Sequence, residues 1–252
     1  MKKIELSNYT IEKLSKMKEA IIACSSTYMN VFNGEPFYES WDLTSAYKVL
    51  ESYIESETTI LAAKYLEETI GFLVATPNVP KDQRQYTQYL DNTIFIEEIG
   101  VLSNFRKNGI ASEMIKALLL SDLAAKTKCL EYRTNAMRYF EYNGSESFES
   151  AVMRVQEEDR KKRSNQERIF IPSLSLDEKQ QFINQYVELI LNRPDLDVSN
   201  SNALFMSLFS TLDYSQKDGN YSFQEDPTGE GNDRIFPFID LEKSPYFVKE
   251  RR

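Results

Sequence analysis

The chain has 252 residues, enough to bury a sizeable core, and a formal charge of −9 from 30 basic and 39 acidic residues. An acidic chain is poorly suited to nucleic acids, whose binding depends on neutralising phosphates. Because the sequence contains no histidine, it excludes histidine-dependent catalytic triads and histidine-ligated metal sites.

The sequence predicts neither a membrane helix nor a signal peptide. No apolar run reaches the ~18 residues that a membrane helix needs, and the first ten residues lack the apolar core of a signal peptide. The two cysteines, Cys24 and Cys129, lie in apolar contexts far apart and are expected to be buried free thiols. We expect a cytoplasmic protein with no metal, membrane or nucleic-acid partner.

The N-terminal third predicts a strand and two helices. Residues 4–6 predict a short strand, and Thr10 is a candidate cap for a helix that ends near Phe32. A second helix is predicted to start near Asp42 or Thr44. The connection between the two helices is dense in aromatic and acidic residues.

Residues 58–124 predict three strands and a helix. Residues 58–66 and 69–76 indicate an antiparallel pair, and residues 94–102 a third strand that carries Glu97 and Glu98. A short loop with Gly109 then leads into a helix whose apolar residues recur at helical spacing. A helix start leaves backbone N–H groups unpaired, and a glycine lets a ligand approach, so this junction predicts an anion site.

The junction resembles that of the GCN5-related N-acetyltransferases (GNAT), which carry Arg/Gln-x-x-Gly-x-Gly/Ala between their fourth strand and third helix. Arg106, Gly109 and Ala111 match this motif, and Val101 stands at the usual distance before the arginine. The alternative is an ordinary strand-to-helix turn with a surface arginine. The resemblance implies acetyl-coenzyme A as co-substrate, contacted by Ile99, Gly100, Val101, Arg106, Lys107, Asn108, Gly109, Ile110, Ala111 and Ser112, and by Asn202 and Phe209 later in the chain.

The resemblance also assigns the aromatic connection between the first two helices. In many members of the family a similar segment forms one wall of the acceptor pocket. Here the matching residues are Phe37, Tyr38 and Trp41. They either line that wall or close the core over the sheet.

The C-terminal half departs from the family pattern. After a fifth strand at 128–134, the family's fourth helix should follow directly, with an asparagine and an aromatic residue seven positions later; Asn202 and Phe209 match better than any nearer pair. This alignment makes residues 136–198 a helical insertion. It contains a helix at about 147–163 and an amphipathic helix opened by a capping box at Ser175 and Glu178.

The implied fold is α+β: a mixed, mostly antiparallel sheet of six to seven strands flanked by helices, in one GNAT-like domain over residues 1–252. Residues 220–224 and 234–241 predict its last strands. The apolar face of the amphipathic helix must pack against the domain, a lid or a second subunit, so a homodimer is compatible with the sequence.

The implied activity is acetyl transfer to a primary amine of a small molecule or peptide, by direct attack in a ternary complex. Successive strand residues point to opposite faces, so only one of Glu97 and Glu98 can serve as general base, and the family pattern favours Glu97; pairing with basic residues is the alternative for both. Phe209 stands where the family has the tyrosine that acts as general acid, so the proton would come from Tyr214, from another tyrosine such as Tyr142, or from water. A catalytically silent module, which binds an acyl-coenzyme A or a protein partner through its insertion, is the competing hypothesis.

Overall fold

A computed structural model of the chain describes residues 9–35, 37–55, 58–78, 92–122, 124, 127–132, 134–135, 139–140, 142–167, 172–193, 220–224 and 234–241. Its strands are β1 Tyr9–Lys13, β2 Thr59–Tyr65, β3 Glu68–Pro77, β4 Thr93–Val101, β5 Cys129–Tyr132, β6 Thr134–Asn135, β7 Asn220–Gln224 and β8 Arg234–Asp240. Its helices are α1 Lys18–Asn33, α2 Leu43–Glu55, α3 Ile110–Leu119, α4 Phe148–Ser164 and α5 Leu176–Asn192, and a 3₁₀ turn spans Ser103–Phe105.

The strands form one mixed sheet in the order β1-β2-β3-β4-β5-β8-β6, and β7 pairs with β8. Only the β4–β5 pair is parallel; the other described pairs are antiparallel. The predicted α+β class and the mostly antiparallel sheet are therefore confirmed. The sheet has eight described strands instead of six to seven, because the two-residue β6 pairs with β8 as a separate strand.

Helices cover the two faces of the sheet. On one face, α1 and α2 bury Tyr28 and Leu50 against Phe72 of β3. On the other face, α3 buries Met114 and Leu118 against the strands. Alternation of side chains along β2 and β3 explains how the same strands supply both cores. The central strands are consequently buried on both sides, and any ligand must enter at their ends or between them.

The N-terminal prediction is wrong in one respect. A helix capped by Thr10 was expected, but residues Tyr9–Lys13 form an edge strand in which Ile11 lies opposite Ala63, and α1 begins only at Lys18. Spacing of the apolar residues fits a helix there, yet Tyr9 and Ile11 also alternate at strand spacing and pack against the core beneath α3. Pairing with β2 prevails over local periodicity. The strand predicted at 4–6 lies outside the described residues.

Helices α4 and α5 pack against each other and, with Tyr139 and Phe140, form a core separate from those on the two faces of the sheet. The predicted capping box is confirmed: the Ser175 N–H donates to Glu178 Oε2 at 2.8 Å, and the Glu178 N–H donates to Ser175 Oγ at 3.4 Å. The apolar face of α5 is thus buried within the α4–α5 pair. Whether residues 136–198 are an insertion stays a prediction, because the helix predicted around Asn202 and Phe209 lies outside the described residues.

Two simpler expectations can also be compared with the structure. Cys24 and Cys129 are both buried free thiols, as predicted. In the part of the chain that the structure describes, no helix has the length and apolar character needed to cross a membrane.

Candidate active site

Strand β5 pairs with only the first part of β4. Their parallel register joins Thr93–Ile96 of β4 to Cys129–Tyr132 of β5. The following β4 residues, Glu98–Val101, stay paired with β3 on the opposite side, and a register shift between Val74 and Ala75 leaves Glu97 as an extra bulged residue. A bulge bends its strand, so the C-terminal part of β4, which carries the predicted cofactor contacts Ile99–Val101, is turned relative to its neighbours.

The loop after β4 is held by side chains that bind its own backbone. Arg106 Nε donates to the carbonyl oxygen of Val101 at 2.9 Å, and its Nη1 donates to the carbonyl oxygen of Glu35 at 2.7 Å. Asn108 Nδ2 donates to the carbonyl oxygens of Phe105 and Arg106, at 3.1 and 3.0 Å. These bonds shape the loop and tie it to the connection between α1 and α2. In this structure the Arg106 guanidinium therefore acts on the loop itself.

Helix α3 begins without a side-chain cap. Gly109 occupies the N-cap position in the left-handed region, at φ 79°, and no side chain bonds to the first turn. The N–H of Glu113 donates to the carbonyl oxygen of Gly109 at 3.0 Å, so the N–H groups of Ile110, Ala111 and Ser112 precede the first intrahelical bond. Nothing described lies within 4 Å of a Cβ placed on Gly109. An anion could therefore approach this end of the helix closely.

Glu98 has an unusual environment for a carboxylate. Its Oε1 accepts hydrogen bonds from the hydroxyls of Tyr28 and Tyr53, each at 3.1 Å. Its Oε2 is enclosed and has no hydrogen-bond partner among the described residues, although the residue as a whole is only partly buried. A buried carboxylate oxygen without a donor is costly, so this atom is suited to receive a donor from a ligand or water.

The same environment raises the pKa of Glu98 to about 7. Burial is the main cause, because it disfavours the charged form, and the nearby negative charges of Glu97 and Glu39 act in the same direction. The two tyrosine hydroxyls oppose this shift by stabilising the carboxylate. A carboxyl group that titrates near neutrality can take and release protons at physiological pH.

Close packing of α1 on the sheet brings Tyr28 to Glu98. Gly100 makes this possible: a Cβ there would lie 2.7 Å from the Phe72 ring and 2.8 Å from Val31 Cγ1. The Tyr28 ring stacks on Phe72 at 5.3 Å between centroids and meets Trp41 edge-on at 5.1 Å. Burial and the negative charge of Glu98 raise the pKa of Tyr28, which keeps its hydroxyl protonated and able to donate.

The connection between α1 and α2 lies beside this pair. Trp41 Nε1 donates to Glu39 Oε2 at 2.5 Å, and Asn33 fixes the Trp41 backbone through two bonds of 2.7 Å. Phe37 and Trp41 pack against the core beneath α1 while staying partly exposed. The structure is compatible with both interpretations, a wall of the acceptor pocket and a cover for the core, because the same rings pack on the core and stay partly exposed.

The structure brings only some of the predicted residues together. Glu97, Glu98 and Ile99–Val101 share β4, and Arg106–Ser112 form the loop and the first turn of α3. Tyr214, Asn202 and Phe209 lie outside the described residues. Sequence reasoning missed Tyr28 and Tyr53, because each is one helical tyrosine among 15 in the chain and no local pattern marks it.

Comparison with known proteins supports the predicted family resemblance. Residues 27–144 match the sequence model of the acetyltransferase (GNAT) family. No curated protein matches the chain. The match confirms the predicted resemblance to the GNAT family over residues 27–144, which include the motif at Arg106, Gly109 and Ala111.

Solved structures with a similar arrangement include several acetyltransferases. One is a putative GNAT acetyltransferase from Desulfovibrio desulfuricans, with 8% identity over 93% of this chain and 99% of that one, at a TM-score of 0.48. Another is an aminoglycoside 6'-N-acetyltransferase complexed with coenzyme A, with 14% identity over 92% and 97% and a TM-score of 0.47. A third is the ribosomal-protein-S18-alanine N-acetyltransferase from Escherichia coli, with 12% identity over 93% and 94% and a TM-score of 0.45.

Proposed function

We propose that the protein transfers the acetyl group of acetyl-coenzyme A to a primary amine, by direct attack within a ternary complex. The observation that carries this proposal is the Glu98 carboxyl group, with a pKa of about 7 and a buried Oε2 that has no donor among the residues that the structure describes. It lies on β4, the strand that leads through a 3₁₀ turn and the Arg106–Gly109 loop to the uncapped start of α3. A proton acceptor and an anion site therefore come from one continuous strand–loop–helix segment.

The start of α3 is proposed to bind the pyrophosphate of the cofactor. The N–H groups of Gly109, Ile110, Ala111 and Ser112 would be its donors, and the helix dipole favours the negative charge. Lys107 would add positive charge, whereas Arg106 and Asn108 act by holding the loop in shape. Residues Ile99–Val101 would contact the pantetheine arm through their backbone.

Glu98 is proposed as the general base in preference to Glu97. Glu98 is supported by two tyrosine donors, a raised pKa and an Oε2 without a partner in the described part of the chain, whereas the family pattern favoured Glu97. Its carboxylate would accept a proton from the acceptor ammonium, directly or through water, because only the neutral amine has a free electron pair for attack.

The remaining steps follow from the chemistry of a thioester. The amine nitrogen forms a bond to the acetyl carbonyl carbon, and backbone N–H groups near Val101 would stabilise the resulting oxyanion. The carbon–sulfur bond then breaks, a general acid protonates the coenzyme A thiolate, and the nitrogen passes its second proton to the conjugate base of that acid, while Glu98 releases the first proton to water. Tyr214 is the proposed acid, because Phe209 occupies the position at which the family has a tyrosine in this role.

The test combines binding with turnover. Calorimetry of the full chain with coenzyme A and acetyl-coenzyme A is expected to give saturable binding, and thiol release with a panel of polyamines, aminoglycosides, amino acids and peptides is expected to exceed the rate without acceptor. Cofactor binding without release for any acceptor would favour the silent binding module. Absence of any cofactor binding would overturn both the acetyltransferase and the acyl-coenzyme A-binding module, and would leave only a module that binds a protein partner.

A further inference from the structure

The connection between α1 and α2 is unusually acidic and contains no cation of its own. Residues 34–42 include three carboxylates and no lysine or arginine. Two of these acids have clear structural partners: Glu35 pairs with Arg160 of α4 at 3.0 Å, and Asp42 accepts the Ser45 N–H at 2.8 Å at the start of α2. Glu39 differs from them, since its described bond comes from the neutral indole of Trp41.

Glu39 and Glu98 stand on either side of one pair of aromatic rings. Glu98 accepts from the Tyr28 hydroxyl at 3.1 Å, the Tyr28 ring meets Trp41 at 5.1 Å, and Trp41 donates to Glu39 at 2.5 Å. The charge of Glu39 also raises the pKa of both Glu98 and Tyr28, which places its carboxylate within electrostatic range of them. Glu39 is exposed, whereas Glu98 Oε2 is enclosed.

We infer that the acceptor is a polycationic amine, such as a diamine or longer polyamine, whose reacting nitrogen lies at Glu98 Oε2 and whose second, protonated nitrogen lies at Glu39 beside Trp41. This inference rests on the proposed function and names the acceptor class for the same site. A carboxylate with an aromatic face next to it attracts an ammonium by charge and by the ring quadrupole. A free amino acid is disfavoured, because its carboxylate would lie among like charges.

Three amines of equal chain length separate the charges. The full chain, with saturating acetyl-coenzyme A, is assayed with 1,4-diaminobutane, n-butylamine and 4-aminobutanoate, which end in an ammonium, a methyl group and a carboxylate. We expect kcat/KM for the diamine to exceed that for the monoamine by about tenfold, mainly through KM, and the carboxylate compound to be the poorest. Equal values for the diamine and the monoamine would overturn the inference.

Glu39→Gln tests the assigned residue. Glutamine keeps an oxygen that can accept the Trp41 indole bond but removes the charge, so kcat/KM for the diamine should fall about fivefold and the diamine-to-monoamine ratio should shrink with it. Glu188→Gln on the exposed face of α5 is the matched control and should leave the ratio unchanged. A Glu39→Gln protein that keeps the full ratio would contradict the assignment.

A third readout requires no variant. Added salt screens a partly exposed ion pair, so KM for the diamine should rise with ionic strength more steeply than KM for the monoamine. Parallel slopes for the two amines would overturn the inference even if Glu39→Gln failed to fold.

Binding distinguishes failure of this inference from failure of the proposed function. If no amine is acetylated, calorimetry with coenzyme A present and 1,4-diaminobutane or n-butylamine as titrant decides the point. Diamine binding that Glu39→Gln weakens would retain the acceptor class while refuting turnover. Equal or undetectable binding of both amines would refute the acceptor class as well.

Discussion

The two halves of the proposed site are built from different kinds of groups. The cofactor half uses the main chain: backbone N–H groups at an uncapped helix start, a left-handed Gly109 and carbonyl-bound loop side chains. The acceptor half uses side chains from three elements: Glu98 on β4, Tyr28 on α1 and Tyr53 on α2. The first half suits a ligand that never varies, and the second can change its specificity by substitution without altering the strand–loop–helix frame.

Gly109→Glu should have the largest effect, because it acts on the main-chain half. The added carboxylate would occupy the space in front of the α3 N–H groups and repel a pyrophosphate, so we expect coenzyme A affinity to fall by at least about a hundredfold in calorimetry. Gly144→Glu is the matched control, since Gly144 also has a positive φ, 74°, and nothing described within 4 Å of its Cβ. Retained affinity in Gly109→Glu would remove the anion site from the mechanism.

Glu98→Gln should break the side-chain half while leaving the other intact. We expect kcat to fall by about a hundredfold or more, as for the loss of a general base, with cofactor affinity unchanged. In the parent protein kcat/KM should rise with pH around an apparent pKa of about 7, because the carboxylate is the active form, and this rise should vanish in the variant. Glu97→Gln is the direct control: a larger loss there would restore the order that the sequence suggested.

The same difference between the two halves determines how much of each could be predicted from the sequence. The cofactor half is local, so strand periodicity, Gly109 and the helical stripe after it were sufficient to predict β4, α3 and the loop between them. The acceptor half is not local: Tyr28 and Tyr53 lie 70 and 45 residues before Glu98 in the chain. Their convergence depends on the close packing of α1 over Gly100, and no local sequence pattern predicts that packing. Edge pairing of β1 was missed for a similar reason, because its partner β2 lies some 50 residues later.

Stability offers a third way to test the acceptor half, without any substrate. The folded-state pKa of Glu98, about 7, exceeds the ordinary glutamate pKa of 4.5, so between these values the folded protein binds more protons than the unfolded chain. The stability linked to protonated Glu98 is therefore complete below about pH 4.5 and is lost as pH rises through 7. We expect the parent protein to lose on the order of 2 kcal/mol relative to Glu98→Gln between pH 5 and 8.

Urea unfolding of both proteins at pH 5, 6.5 and 8 measures this difference directly, because all other titrating groups are common to the pair. Parallel stability curves would mean that Glu98 titrates normally. That outcome would remove the physical basis for choosing it as the base, even if its substitution impairs turnover.

The smallest expected effect is the sharpest probe of the acceptor half. Tyr53→Phe removes one of two hydroxyl donors that stabilise the Glu98 carboxylate, so the pKa of Glu98 should rise further, by about one unit. The rising limb of kcat/KM should move to higher pH by the same amount. Turnover should fall clearly at pH 6 but change little at pH 9, where the carboxylate is ionised in both proteins.

Tyr47→Phe on the same helix is the matched control, because Tyr47 donates at 2.9 Å to a different carboxylate, Glu51. It removes an equivalent hydroxyl from α2 and should leave the pH profile in place. A uniform loss of rate at all pH values in Tyr53→Phe would indicate that Tyr53 supports packing or substrate position. A shift of the pH profile without that loss would show that Tyr53 acts through the ionisation of Glu98. Such coupling between distant side chains and proton transfer distinguishes the acceptor half of the site from the main-chain half.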